Sequence, residues 1–215
     1  MDDLSSRITE VVAPPADQLL LAFFDTKSPF AGRTFDELSA NPRNEFSVGD
    51  LLAVSLLDVR FEPRAVRALL DVKARLFSEL LSPIRDDVDL WDATDDDLLP
   101  AYELWSELEK LPGVGSTKTS KLMARKRPRL IPIVDRVIRA ALPLGDDSWE
   151  SLRSVLKGRR VRDNIERIRP PGLASTVSTL RLLDAATWMR YSKSRPAQKA
   201  REDADVARNL DTEAS

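Results

Sequence analysis

The residues best placed to do chemistry lie between Leu111 and Asp135, in the run LPGVGSTKTSKLMARKRPRLIPIVD. Gly113 and Gly115 flank Val114 in a Leu-Pro-Gly-Val-Gly turn, and with no Cβ they let the backbone come close to another molecule. The amides of this turn, with those of Ser116 and Thr117, fall where a helix begins, and a helix N-terminus attracts anions. Lys118, Lys121, Arg125, Lys126 and Arg127 follow on that helix, with Arg129, Arg136 and Arg139 beyond it. From Leu111 to Arg139 there are eight basic residues and one acid, Asp135, a net charge of +7. An amide-lined turn in such a field points to a phosphate backbone as the partner. Asp135 closes the stretch and, standing where the next helix begins, is a good N-cap.

Composition narrows the remaining chemistry. The chain has no Cys, which removes disulfides, thiolate zinc sites, Cys-ligated iron–sulfur clusters and thiol nucleophiles. It has no His, which removes imidazole bases and the commonest metal ligand. Catalysis would have to run on Asp, Glu, Lys, Tyr, Ser or Thr. At 215 residues, 42% hydrophobic and 32% charged, the chain suits a folded, core-forming protein. No apolar run approaches a bilayer span and the N-terminus is acidic, so no membrane partner and a cytoplasmic location are expected. The overall charge of −2 hides a split: residues 1–110 carry 11 basic and 23 acidic side chains, and residues 111–215 carry 22 and 12. That asymmetry argues for a charged binding face in the second half.

The elements that must position these residues read as helices throughout, with no alternating run of strand length. Residues 15–26 form a short apolar helix, and 28–38 an ordered loop anchored by Phe30 and Phe35. Ser47 with Asp50, and Thr94 with Asp97, are spaced as helix-capping pairs. Pro63 suits the first turn of a helix whose apolar positions continue to Leu81. Leu98, Leu99, Tyr102, Leu104, Trp105 and Leu108 make a helical stripe, with Trp105 and Trp91 expected as core anchors. That helix ends at Lys110 and leads straight into the turn. Residues 116–126 form the next helix, stopped before Pro128. Ile131–Val134 is a short apolar approach to Asp135, which starts a helix to about Leu142. Further helices are expected over 148–157, 158–169 and 175–189. Arg159, Arg160 and Arg162 are secondary candidates for nucleic-acid contact.

Helix, Leu-Pro-Gly-Val-Gly, helix resembles the helix-hairpin-helix of base-excision DNA glycosylases. The resemblance implies an all-α, glycosylase-like helical domain that holds duplex DNA by its backbone, largely without sequence preference. Leu111 and Val114 would pack the two helices. Gly113, Val114, Gly115, Ser116, Thr117, Lys118, Lys121, Arg125, Lys126 and Arg127 would contact DNA. Val134-Asp135, preceded by Ile131, Pro132 and Ile133, matches the element that carries the catalytic carboxylate in those enzymes. Asp135 would there stabilise an oxocarbenium-like sugar or activate the nucleophile. Thr117 stands where strand-cutting members have a Lys, so lyase chemistry is not implied. The Thr-His-Val that often follows the Asp is Arg136-Val137-Ile138 here, and no glutamine-bearing wedge is recognisable. No cofactor is implied, beyond a monovalent cation that such a hairpin could hold. The whole chain, over roughly residues 15–190, is also similar to an uncharacterised bacterial family sharing Gly32, Arg33 and Phe35, the stretch 121–135 and LRLLDAATWM at 180–189.

These readings give a flexible N-terminus over 1–13 and a single helical domain over 14–191. That domain divides into an acidic half (14–110) and a basic half (111–191), and 192–215 is a disordered tail. The expected function is DNA-backbone binding, with monofunctional glycosylase activity or as a non-enzymatic DNA-binding or protein-interaction module. DNA binding would add nucleoid association, and protein partners are left open.

Overall fold

A computed structural model describes residues 2–213. Thirteen α-helices and one π-helical turn account for the regular structure, with no strand among the described residues. Chain contacts divide into two compact units. One is Thr34–Asp135; the other takes the residues before Thr34 and after Asp135.

The discontinuous unit contains α1 (Asp2–Val12) and α2 (Ala16–Phe24). The division falls inside α3 (Gly32–Glu37), a helix where the sequence predicts a loop. The continuous unit holds most of α3, α4 (Val48–Ser55) and α5 (Pro63–Arg67). It continues through the π-turn Ala68–Val72, α6 (Ala74–Leu81), α7 (Asp95–Glu109) and α8 (Ser116–Lys126). The discontinuous unit resumes with α9 (Arg136–Ala141), α10 (Ser148–Leu156) and α11 (Arg159–Glu166). It closes with α12 (Thr179–Tyr191) and α13 (Arg195–Glu213).

In the discontinuous unit, α12 is the central helix and packs against α1, α2, α9, α11 and α13. It is buried on nearly every side, from Leu180 through Thr187 and again at Met189. Residues 2–12, expected to be flexible, form α1 because Leu4, Ile8 and Val11 fall on one face and are buried. Arg7 ties that helix to the Ala141 carbonyl at 2.9 Å, and Arg190 reaches the Val11 carbonyl at 3.1 Å. The stretch expected to be a disordered tail is helical over 195–213. Ala197 and Ala204, small enough for close helix approach, are its buried contacts. Met1, Ala214 and Ser215, which the two terminal expectations include, lie outside the described residues.

In the continuous unit both capping boxes form. Ser47 Oγ accepts from the Asp50 amide (3.2 Å) while Asp50 Oδ2 accepts from the Ser47 amide (2.8 Å). Thr94 and Asp97 repeat the exchange at 3.2 and 2.9 Å. Pro63 opens α5 as its spacing implies. The stripe on α7 is narrower than expected. Leu98, Ala101, Leu104 and Leu108 are buried, Leu99 and Tyr102 are exposed, and Trp91 and Trp105 are only half-buried.

Candidate nucleic-acid interface

Within the continuous unit, α7 leads through Lys110 into the turn, and Leu111 and Val114 are buried beneath it. The Val114 amide donates to the Leu111 carbonyl at 3.1 Å and closes the turn. Gly113 has φ +68°, the left-handed region that favours glycine. A Cβ there would also sit 2.5 Å from Glu62 Oε1, a contact the exposed Glu62 side chain can relieve by moving, so it is the backbone that fixes Gly113.

Gly115 is different. It is the N-cap of α8 with φ −108° and ψ −176°, an extended backbone any residue adopts. A Cβ on it would meet nothing within 4 Å. It offers no side chain to cap the helix. Among the described residues the amides of Ser116 and Thr117 meet no acceptor, the usual condition of a first helical turn awaiting a partner. Lys118 is half-buried; its Nζ donates to the Gly113 carbonyl and lies 5.9 Å from the Phe61 ring centroid.

From Lys121 to Arg127 the cations turn inward, while Arg129, Arg136 and Arg139 are exposed. Thr119 through Lys126 are all buried. Lys121 Nζ donates to the Leu57 carbonyl at 2.7 Å. Arg125 directs its guanidinium to the carbonyls of Phe35, Asp36 and Leu38. Lys126 Nζ binds Asn41 Oδ1 (2.6 Å), the Pro42 carbonyl (3.1 Å) and the Asp50 carboxylate. Burial lowers the Lys126 ammonium's pKa, against the opposing pull of Asp50. Arg127, with only 1% of its surface exposed, donates to Arg43, Leu81 and Ile84 carbonyls and to Asn44 Oδ1. Burial lowers its pKa too.

Arg125, Lys126 and Arg127 are expected from sequence at the DNA backbone. They instead hold residues 35–44 and the end of α6 in place. The physical reason is that those distant segments leave carbonyls in need of donors, and a buried carbonyl demands one.

Asp135 is reached along Leu130–Val134, of which Leu130, Ile131, Ile133 and Val134 are buried. Ser120 Oγ accepts from the Val134 amide at 3.3 Å and fixes that segment against α8. The Asp135 side chain is 11% exposed, with Oδ2 3.6 Å from Lys121 Nζ. Lys121 stands about 9 Å along α8 from Gly115. The ten residues expected at DNA and Asp135 therefore share one helix and its flanks. Of these, Gly113 and Gly115 are exposed, Ser116, Thr117 and Lys118 are half-buried, and the others are buried. In the other unit, Arg162 caps α10 through the Leu156 and Lys157 carbonyls, and Arg159 pairs with Asp163 at 3.7 Å.

Among the described residues no cluster of three potential metal ligands occurs, and no helix is long and apolar enough to cross a membrane.

Fold and site define an all-helical protein whose glycine turn opens a helix that is basic in sequence and buried along most of its length. The profile of the DUF6308 family, a family of unknown function, matches residues 16–191, and the chain belongs to that family. Comparison with curated proteins and with solved structures gave no match.

Proposed function

We propose that this protein binds the sugar–phosphate backbone of double-stranded DNA, largely without sequence preference, through the turn and helix start from Leu111 to Lys118. The observation that carries the reading is Gly115. Neither its backbone angles nor its surroundings call for a glycine, since a Cβ would meet nothing within 4 Å. What a side chain at that position would obstruct is approach from outside to the amides of Gly115, Ser116 and Thr117. Phosphate oxygens are suited to those amides, which lie at the positive end of an 11-residue helix. Lys118, held beside the turn, adds charge. The likeness of α7, the turn and α8 to a helix-hairpin-helix supports the same reading.

Base-excision chemistry would fall to Asp135. Its pairing with Lys121, and the shielding of both side chains, favour a non-enzymatic role. A carboxylate already compensated by a buried ammonium has less charge to offer a developing cation.

The test is fluorescence anisotropy of a labelled duplex with the full chain. Binding should weaken steeply between ~50 and ~200 mM salt. Gly115→Leu should abolish it while leaving the circular dichroism melt unchanged. Absence of binding by the unaltered protein at low salt overturns the reading. Abasic-site release from damaged duplexes, lost in Asp135→Asn, would establish the enzyme instead of the binding module.

A further inference from the structure

The cations that complete a phosphate-binding surface must come from somewhere other than the end of α8, because Arg125, Lys126 and Arg127 are bonded internally. The continuous unit supplies a replacement from the acidic half of the sequence. The segment entering α5 lies against the turn at two points: Phe61 under Lys118 Nζ, and Glu62 against Gly113. Arg60 immediately precedes Phe61, Arg64 follows Glu62 by two residues, and Arg67 stands one helical turn further on the same face. All three are exposed. Among the described residues no hydrogen bond or ion pair engages the side chain of any of them.

An exposed arginine with no intramolecular partner keeps its five donors for a ligand, and its planar fork matches phosphate. The Cα atoms of Arg60 and Arg64 are within ~8 Å of that of Glu62, set by the chain itself. Phosphates along one DNA strand recur every ~3.4 Å of helix axis, so a backbone seated on the turn passes within reach of this segment.

We infer that Arg60, Arg64 and Arg67 form a second arm of the DNA-binding surface, contacting phosphates next to the one held at the Gly113–Lys118 turn. The inference rests on the backbone-binding reading and adds the residues that supply its charge. Asp58 and Glu62 are the acids of the same segment, so the surface is only modestly positive. Its contribution is arginine geometry more than bulk charge.

The experiment measures the slope of log affinity against log salt for duplex DNA, using the full chain and the triple variant Arg60→Gln, Arg64→Gln, Arg67→Gln. Each phosphate contact removed lowers the slope by about 0.9, so three lower it by about 2.7. The affinity lost between ~50 and ~200 mM salt then shrinks about 40-fold. Arg75→Gln, an exposed residue paired with Glu79 on α6, is the control and should leave the slope unchanged. Arg64→Gln alone, with a slope lowered by about 0.9, covers the case of a triple variant that fails to fold. If the unaltered protein binds and the slope stays the same in the triple and single variants, the inference is overturned and the turn reading stands. If the unaltered protein does not bind duplex, both fall. Competition by polyglutamate equal to that by duplex would also overturn the inference, since it would make the surface a site for acidic protein.

Discussion

Replacing Arg127 with methionine separates a structural cation from a DNA-contacting one. Methionine keeps an unbranched stem of similar reach but none of the donors. The arginine makes five hydrogen bonds, at 2.7 Å to Ile84 and Arg43 carbonyls, 2.6 Å to Leu81, 2.8 Å to Asn44 Oδ1 and 3.0 Å to Lys126. Two of these serve carbonyls that the variant would leave without a donor, those of Arg43 and Ile84, while the Leu81 carbonyl keeps the Ile84 amide at 3.1 Å. Hydrogen bonds to a charged group contribute about 1.5–3 kcal/mol each. Removing the guanidinium also removes its own desolvation cost, the effect that lowers its pKa. Two bare carbonyls at about 1–3 kcal/mol each, offset in part by that relief, set the net expectation at a loss of about 3–5 kcal/mol. For a chain of this length that is a melting-temperature fall of roughly 6–20 °C. Urea denaturation gives the free energy, and hydrogen exchange by mass spectrometry should show amides of residues 35–44 and 81–84 exchanging faster. The salt slope of DNA binding, measured well below the melting temperature, should not move. A loss under about 1 kcal/mol would refute the reasoning, as would a slope lowered by about 0.9.

Three further outcomes follow from the same geometry. Two bonds from Thr94, backbone first and hydroxyl second, lower the pKa of Asp97 below the ordinary carboxylate range. Its stabilisation is thus fully present above ~3.9, the unfolded value, and is lost as pH falls through the lower native value. An acid titration of helicity should show that limb weakened in Asp97→Asn, and an identical limb would count against the capping box. Glu62→Gln removes a carboxylate from beside the turn and should tighten duplex binding about 2- to 5-fold at moderate salt, read by anisotropy. Unchanged or weaker binding would place the phosphate away from Gly113. Gly113→Ala should cost about 1–2 kcal/mol by urea denaturation because of its positive φ. Gly115→Ala, with open space and extended backbone, should stay within about 0.5 kcal/mol, and a larger loss would point to an internal role for that glycine.

The local grammar of the continuous unit is legible in the residues. Ser47 with Asp50, Thr94 with Asp97, Pro63, and the glycine turn each work through partners within five residues, so spacing alone locates α4, α5, α7 and α8 closely. The helices at the two ends are not legible. α1 has a mixed, charged sequence and the side chains described as buried on α13 are the alanines Ala197 and Ala204, so their stability comes from surfaces that α12 and its neighbours present. Leu99 and Tyr102 read as inward because a helical stripe is wider on paper than the arc that α6 and α8 cover on α7.

Sequence does not reveal which cations the fold commits where long-range partners decide the matter. Sequence counts charge, whereas binding uses only charge that the fold leaves uncommitted. Arg125, Lys126 and Arg127 look like the densest basic patch of the chain. Their partners lie 43 to 90 positions away, at carbonyls of residues 35–43 and 81–84 that composition cannot mark as needy. Conversely, Arg60, Arg64 and Arg67 vanish in an acidic half, although the fold sets their segment against the glycine turn. The unit Thr34–Asp135 draws on both the acidic and the basic half of the sequence. Counting uncommitted cations instead of all cations moves the proposed contact surface from the end of α8 to its beginning. There the segment that carries Arg60, Arg64 and Arg67 meets the turn through Phe61 and Glu62, and Gly115 is the residue for which nothing inside the unit gives a reason.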